Sequence, residues 1–205
     1  MPVRLRRCPR RVAQLNSSMS KIILEPLTEA FVGVDYINWL SDPEVTYFLE
    51  VGSRVYTELD LKNYIVESKE IGRQNYALIV ANSGLHIGNG SIYGKTIAGN
   101  NFKIGWFIGN KHYWGGKYAS SAVYELLKIG FDDIKMDFCP GFVNQDNLKA
   151  RLLNKYLGFQ ELGKNKVYSI KRARNEVLVE IKITRKGWEK RARELAELFP
   201  EVFTK

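Results

Sequence analysis

The sequence is poor in the residues that build disulfide frameworks, metal sites and membrane spans. It has two cysteines, Cys8 and Cys139, and two histidines among 205 residues. Two cysteines form no disulfide framework and suggest a reducing compartment, so we expect a cytoplasmic protein. The scattered cysteines and histidines do not suggest zinc, and we expect no metal. No apolar run approaches the roughly 20 residues that cross a bilayer, so we expect no membrane partner.

Acidic residues are absent from one long stretch of the chain. Residues 71–124 contain no Asp or Glu. The basic residues of this stretch are Arg73, Lys95, Lys103, Lys111 and Lys117. Because like charge opposes the binding of an anion, a stretch without carboxylates suits a polyanion site. The gap favours phosphate binding without naming the ligand.

Basic residues are concentrated at the N-terminus. The net charge is +9, and five arginines lie in residues 1–19, which contain no acid. A nucleic-acid-binding domain would spread its basic excess over the folded surface, so we expect no nucleic-acid partner. We interpret residues 1–19 as a basic, disordered extension, with an organellar transit peptide as the alternative. Residues 20–205 have the length of a single domain with a proper core.

One segment, residues 103–131, has the pattern of a strand, a glycine-bearing loop and a helix. Residues 104–108 are mostly apolar, β-branched or aromatic, as in a buried strand. Gly115 and Gly116 allow backbone conformations closed to other residues, and from Tyr118 onward apolar residues recur at intervals of three and four. A glycine-rich turn before a helix leaves backbone N–H groups free to bind an anion such as phosphate. An ordinary structural turn is the alternative.

The glycine loop resembles a known cofactor-binding motif. Residues 113–119, Tyr-Trp-Gly-Gly-Lys-Tyr-Ala, are similar to the acetyl-CoA pyrophosphate loop of the GNAT N-acetyltransferases, Gln/Arg-x-x-Gly-x-Gly/Ala. Gly115 falls on the first glycine of that motif, and His112 takes the Gln/Arg place. Lys117 stands where the second Gly or Ala is expected, so glycine and lysine are interchanged relative to the common pattern.

A second segment resembles the same family. Asn147, Ala150 and the Leu-Gly-Phe of residues 157–159 have the spacing of the family's Asn-x-x-Ser…Gly-Phe segment. The resemblance covers roughly residues 21–184. Residues 36–45 also resemble the start of members that act on surface polysaccharides and amino sugars, a group that includes acetylases of ribosomal-protein N-termini.

The resemblance implies an α+β fold with a mostly antiparallel sheet of six to seven strands, flanked by helices and splayed between strands four and five. The sequence predicts strands at residues 21–24, 76–81, 86–93, 102–108, 136–143, 167–170 and 177–183. It predicts helices at residues 31–40, after the N-cap Thr57, after Lys117, after a cap at Asp146 and near the C-terminus. The expected inward-facing residues of the helix after Asp146 are Leu148, Leu152, Leu153, Tyr156 and Leu157. The apolar stripe of the amphipathic C-terminal helix suits either its own domain or a second subunit, as in a homodimer.

The resemblance also implies a set of site residues. The expected acetyl-CoA contacts are Phe107, Ile108, Trp114, Gly115, Gly116, Lys117, Tyr118, Ala119 and Asn147. The pantetheine arm would pair with the main chain of the fourth strand in the gap beside the fifth, where Pro140 fits because it donates no ladder hydrogen bond. The expected acceptor-side residues are Tyr47, Phe48, Glu50 and Tyr56, with ordinary packing as the alternative for each.

The catalytic acid and base do not follow the family pattern. Many members place a Glu on the fourth strand, but the matching place here is near Lys103. His86, on the neighbouring strand, is the substitute base, with a plain hydrogen bond on the sheet as the alternative. The family's usual acid, a Tyr, corresponds to Asn154, and Tyr156 is the substitute, with packing as the alternative. Positioning of the reactants can supply much of the rate.

These residues predict an acetyl-CoA-dependent N-acetyltransferase. The favoured acceptor is a primary amine of a small molecule, an amino sugar or a nucleotide-linked amino sugar. Acetylation of a protein or peptide N-terminus is the alternative activity. The missing acid and base also leave open a CoA-binding sensor of weak activity.

Overall fold

The computed structural model describes residues 21–51, 54–96, 99–115 and 117–203. The predicted N-terminal extension of residues 1–19 lies outside these ranges, as does Gly116. The described residues form one sheet with helices on both faces, which confirms the mixed α+β class predicted from the sequence.

A single seven-stranded sheet organises the described residues. Its strands are β1 Ile22–Pro26, β2 Gln74–Val80, β3 Leu85–Thr96, β4 Asn101–Ile108, β5 Phe138–Asn144, β6 Gln160–Ser169 and β7 Arg174–Thr184. Their order is β1-β2-β3-β4-β5-β7-β6. Every neighbouring pair is antiparallel except β4 and β5, which are parallel.

Six α-helices flank the sheet in the described ranges. They are α1 Val34–Ser41, α2 Pro43–Thr46, α3 Glu58–Glu70, α4 Lys117–Lys128, α5 Leu148–Tyr156 and α6 Arg185–Leu198. Asp42 ends α1, and its side chain accepts a hydrogen bond from the Glu44 N–H to begin α2. The predicted N-cap Thr57 is confirmed, because it forms a capping box with Asp60 at the start of α3.

Strands β4 and β5 part almost as soon as they meet. In the described part of the sheet, their pairing consists of the single bridge from Asn101 to Phe138. On its other side, β5 pairs with β7 along its full length. Pro140 lies in β5 and has no N–H for a ladder, which the open gap to β4 does not require. The predicted splay between the fourth and fifth strands is confirmed.

The core lies on both faces of the sheet. On one face α4 buries Ala119 and Ala122 against strand residues such as Ile87. The other face is covered by α1 and α3, where Trp39 closes over the end of β4. A Cβ added to Gly109 would lie 2.1 Å from the Trp39 ring, so this close approach needs glycine.

Helix α6 packs on its own domain. Trp188 is 1% exposed, and its ring lies 4.9 Å from that of Tyr124 and 5.8 Å from that of Phe131. The apolar stripe of this helix is therefore covered within the chain, and the homodimer stays a prediction. No helix in the described ranges has both the length and the apolar character needed to cross a membrane.

Helix α5 differs from the prediction in its cap and in its buried face. Asn147, not Asp146, is the N-cap, and its side chain accepts a hydrogen bond from the Ala150 N–H at 3.1 Å. Of the five residues expected to face inward, Leu157 is fully buried, but the expectation was wrong for Leu148 and Leu152, which are 62% and 69% exposed. The reason is that α5 borders an open cleft, so that the helix has an apolar side facing a cavity as well as one facing the core.

Candidate functional site

The gap between β4 and β5 opens into a cleft of about 1200 Å³. Residues 104–108 of β4 form one wall and residues 139–144 of β5 form the other. The start of α4, the inner side of α5 and the segment after α2 complete the lining. This volume exceeds that of a typical drug-sized pocket, so the cleft can hold an elongated ligand.

The β4 edge that faces the cleft offers main-chain hydrogen-bonding groups. Strand β4 is paired to β3 on one side from Lys103 to Ile108, but it has left β5 on the other. An extended ligand can therefore bind along this edge as an added strand would. The end of the edge is fixed by Trp114, whose indole N–H donates to the Ile108 carbonyl at 2.8 Å.

The loop from Asn110 to Gly115 leads into α4 and lies beside the cleft. The Asn110 side chain accepts a hydrogen bond from the His112 N–H at 3.1 Å and opens a short 3₁₀ turn, Lys111–Tyr113. Gly115 has a φ of +120°, a conformation that other residues avoid. An added Cβ there would contact nothing within 4 Å, so the backbone conformation alone requires glycine.

The N-terminus of α4 gives the cleft a positive end. The first N–H groups of a helix have no intrahelical acceptors, and the helix dipole adds a partial positive charge. Lys117 begins the helix and lines the cleft, as do Ala119 and Ser120. Lys149 lies across the cleft with its ammonium 5.6 Å from the centre of the Trp114 ring. These groups suit a phosphate-bearing ligand.

Lys111 does not belong to this positive end, although the sequence places it in the carboxylate-free stretch. Its ammonium lies 2.8 Å from Asp42 and 2.9 Å from Glu44, at the junction of α1 and α2. Hydrogen bonding to Lys111 lowers the pKa of Asp42, so the pair stays ionised. A stretch of sequence without acidic residues can therefore still lie next to acidic side chains in the folded protein.

Most of the predicted site residues line the cleft. From the cofactor set these are Phe107, Ile108, Trp114, Gly115, Lys117, Ala119 and Asn147. From the acceptor and catalytic sets they are Tyr47, Phe48, Glu50 and Tyr156. Gly116 lies outside the described residues.

Three predicted residues stand apart from the cleft lining. Tyr118 packs against the Tyr113 ring at 4.9 Å between centroids. Tyr56 packs on the cluster formed by α1 and α3. His86 lies between the rings of Phe31 and Trp39, with centroid distances of 5.1 and 4.9 Å.

The hydrogen bonds of His86 define its protonation. Its Nε2 lies 2.9 Å from the Gly88 carbonyl and 2.9 Å from the Asn89 amide oxygen. Both are acceptors, so Nε2 carries the hydrogen. Burial lowers the pKa of His86, and the ring is neutral at pH 7. This environment favours the alternative of a hydrogen bond on the sheet.

Tyr156 is a titratable group on the cleft wall. It is half-buried at the C-terminal end of α5, and the Arg191 guanidinium lies 4.9 Å from its ring centre. Burial raises the pKa of Tyr156, an effect that Arg191 partly offsets. The phenol therefore keeps its proton at neutral pH and can donate it.

The β6–β7 turn contains functional candidates that the sequence patterns did not indicate. Lys171 donates hydrogen bonds to the carbonyls of Thr46 and Leu49 at 2.7 and 2.8 Å. These contacts fix the segment that brings Tyr47 and Phe48 to the cleft. More than 120 residues separate the partners, so no local pattern could have revealed the contact.

Comparison with known families decides the relationship of this chain. Residues 21–160 match the family model described as an acetyltransferase (GNAT) domain. The chain belongs to the GNAT acetyltransferase family. The match covers the glycine loop and both walls of the cleft, and the resemblance seen in the sequence is confirmed.

Two relatives of this GNAT chain are themselves described as N-acetyltransferases. The uncharacterised N-acetyltransferase YnaD of Bacillus subtilis is 25% identical over 125 residues, which are 61% of this chain and 71% of YnaD. The uncharacterised N-acetyltransferase p20 of Bacillus licheniformis is 28% identical over 126 residues, 60% of this chain and 70% of p20. The family and these relatives identify the protein as an N-acetyltransferase.

Solved structures share the fold. Spermidine N-acetyltransferase from Vibrio cholerae, in complex with CoA and spermine, superposes with a TM-score of 0.73 at 14% identity, covering 82% of this chain and 98% of that one. A GNAT-family acetyltransferase from Bacillus anthracis gives a TM-score of 0.68 at 18% identity, covering 81% and 96%. At these identities the likeness establishes the fold and leaves the acceptor open.

Proposed function

We propose that this GNAT enzyme uses acetyl-CoA and transfers the acetyl group to a primary amine of a small molecule that also carries negative charge. A nucleotide-linked amino sugar is the favoured class. The observation on which the proposal rests is the open gap between β4 and β5, with the Gly115 loop and the start of α4 at one end.

The residues at the cleft fit the parts of acetyl-CoA. The β4 edge at residues 104–108 suits the amides of the pantetheine arm, and the N-terminal turn of α4 with Lys117 suits the diphosphate. Lys149 adds a second cation near Trp114. Acetyl-CoA supplies the acetyl thioester. The Tyr118 ring packs against that of Tyr113 in the loop. In this proposal Tyr118 therefore stabilises the loop and does not contact the cofactor.

The side chains around the cleft supply a limited set of catalytic groups. Free N–H groups on β4 can polarise a carbonyl, and one such donor is typically worth ~3–4 kcal/mol in the transition state. Tyr156 Oη holds the proton that the departing thiolate requires. Of the carboxylates that line the cleft, Glu44 is paired with Lys111 and Glu50 interacts with Lys171 and Arg172. Water therefore accepts the proton of the amine, and positioning provides most of the acceleration.

Charge on the acceptor side favours an anionic acceptor over a polyamine. Glu44 is paired with Lys111, and the charges of Lys171 and Arg172 near Glu50 offset that of its carboxylate, so the cleft offers little surplus negative charge to a polycation. Tyr93 also lines the cleft, and the Arg73 guanidinium lies 4.2 Å from its ring centre. Arg73 donates to the Tyr64 hydroxyl at 3.1 Å, and Lys103 is paired in register with Tyr93. Neither cation lines the cleft itself, so a phosphate or carboxylate on the acceptor would reach them by extending past the Tyr93 ring.

A thiol-release assay with a panel of amines tests the proposal. The panel contains free glucosamine, a nucleotide-linked amino sugar, spermidine and a peptide with the N-terminus of a ribosomal protein. We expect release with the nucleotide-linked amino sugar and a lower kcat/KM with spermidine. Preference for spermidine would contradict the charge argument, and preference for the peptide would establish the alternative activity.

Calorimetry separates an enzyme from a sensor. Tight binding of acetyl-CoA together with no thiol release from any amine would contradict the proposed activity and favour a CoA-binding sensor. Weak or absent binding of acetyl-CoA would contradict the cofactor assignment itself.

A further inference from the structure

The β6–β7 turn reaches across the molecule to the segment that follows α2. Lys171 donates to the carbonyls of Thr46 and Leu49 and also to that of Val51. Three backbone carbonyls from one short segment therefore converge on one ammonium group. Ala173, with a φ of +49°, helps to form the tight turn that presents Lys171.

Arg172 makes a second connection to the same segment. Its Nη1 donates to the Tyr47 carbonyl at 2.5 Å, and its Nε and Nη2 bind the Glu176 carboxylate at 2.5 Å each. Arg174 adds a hydrogen bond from its Nη2 to the Tyr47 hydroxyl at 3.3 Å. Tyr47 is thus held at both its main chain and its side chain.

Glu176 links this turn to the other side of the cleft. Its side chain is only 4% exposed, and the pKa of Glu176 is lowered by its bonds to Arg172 and Arg174. Asn144, at the end of β5, donates to Glu176 at 2.9 Å and accepts a hydrogen bond from the Asp146 N–H at 2.9 Å. The network therefore joins the segment after α2 to the turn that begins α5, and both line the cleft.

We infer that Lys171 and Arg172 are positioning residues for the acceptor amine. They hold residues 46–51 as one wall of the cleft, so that Tyr47, Phe48 and Glu50 face the acceptor in a fixed arrangement. This inference rests on the proposed function, because it assigns residues 46–51 to the acceptor side. Neither Lys171 nor Arg172 lines the cleft, and their hydrogen bonds go to residues 46–51, Ser169 and Glu176 rather than to β4 or the Gly115 loop, so acceptor binding should depend on them more than cofactor binding does.

Replacement of Lys171 separates a positioning role from a general structural one. Lys171→Met removes the donors and keeps most of the aliphatic length. We expect the KM for the acceptor to rise by about fivefold or more, as loss of charge-assisted hydrogen bonds would produce. The Kd for acetyl-CoA should stay within about twofold of wild type, since nothing at the cofactor end changes. Lys171→Arg, which keeps the charge and the donors, should restore most of the acceptor KM.

Lys166→Met is the matched control, because Lys166 is an exposed residue on the same hairpin. It should leave both constants unchanged. An acceptor KM of Lys171→Met equal to that of the control would overturn the inference, as would an equal loss of acetyl-CoA affinity and acceptor affinity.

Amide hydrogen exchange tests the clamp even if the acceptor proposal fails. Exchange of residues 46–51 should be faster in Lys171→Met than in wild type and in Lys166→Met, with the β4 amides unchanged. Unchanged exchange at residues 46–51 would overturn the clamp itself. If exchange is faster but the enzyme accepts none of the amines, the proposed function is contradicted and Lys171 has no acceptor to position. The contact between Lys171 and residues 46–51 would still be established.

Discussion

The Trp114 indole N–H donates to the Ile108 carbonyl across 2.8 Å and so joins the glycine loop to the end of β4. The same ring lies beside the Lys149 ammonium on α5. One side chain thus connects the three elements that meet at the positive end of the cleft.

Replacement of Trp114 by Phe should weaken cofactor binding by removing one hydrogen bond. The ring and its contact with Lys149 are largely kept, while the Ile108 carbonyl loses its donor. A net loss of about 1 kcal/mol corresponds to a Kd for acetyl-CoA that is about fivefold higher. Isothermal titration calorimetry measures the Kd for acetyl-CoA. An unchanged Kd would show that the hydrogen bond from Trp114 to Ile108 does not contribute to cofactor binding.

Gly115 should tolerate no side chain, because its φ of +120° is closed to other residues. Gly115→Val forces the loop into another path and should weaken acetyl-CoA binding about tenfold or more. Gly163→Val is the control: Gly163 lies on β6, and an added Cβ there would also contact nothing within 4 Å. Equal affinities for the two variants would refute the assignment of the loop.

Tyr156→Phe should lower kcat by about 10²-fold if Tyr156 Oη donates the proton to the thiolate. Burial raises the pKa of Tyr156, so the wild-type rate should fall only above the ordinary tyrosine pKa of about 10. The variant should lack that alkaline decline. Tyr168→Phe, at an exposed position of β6 outside the cleft lining, is the control, and a kcat unaffected by Tyr156→Phe would return Tyr156 to packing.

His86 should contribute to stability rather than to the rate. Its pKa is lowered by burial, so the unfolded chain binds the proton more readily than the folded one. Stability should therefore decrease as the pH falls below about 6.5, and His86→Gln should make urea denaturation less dependent on pH between 7 and 5. If instead His86→Gln removed an acidic limb below pH 6.5 from the rate profile, His86 would be the base after all.

Local patterns were sufficient for the centre of the fold. The apolar run in β4, the glycine loop and the apolar spacing of α4 predict a strand, a turn and a helix, and the structure contains all three. The split beside Pro140 followed from the family resemblance and from the missing N–H of proline. In each case the decisive residues lie close together in the sequence.

Strand β6 shows where such patterns fail. The sequence predicts four residues for it, but it runs from Gln160 to Ser169. It is the edge strand of the sheet, and nearly all its residues are exposed. Without a buried face it has no alternation of apolar and polar residues, so only its pairing with β7 defines its length.

The site shows the same limit. Lys111 belongs to the carboxylate-free stretch of the sequence, but the structure places it against Asp42 and Glu44. No sequence pattern indicated Lys171, which the structure places against Thr46. Both contacts join residues far apart in the sequence. Long-range contacts of this kind depend on tertiary packing, which a single sequence without repeats or alignment does not reveal.

A crystal structure of the protein with CoA tests the central claim most directly. We predict that the diphosphate lies against the main-chain N–H groups at the start of α4 and that the pantetheine arm runs along β4 in the gap beside β5. A cofactor bound elsewhere, or strands β4 and β5 paired along their length with the gap closed, would contradict the account.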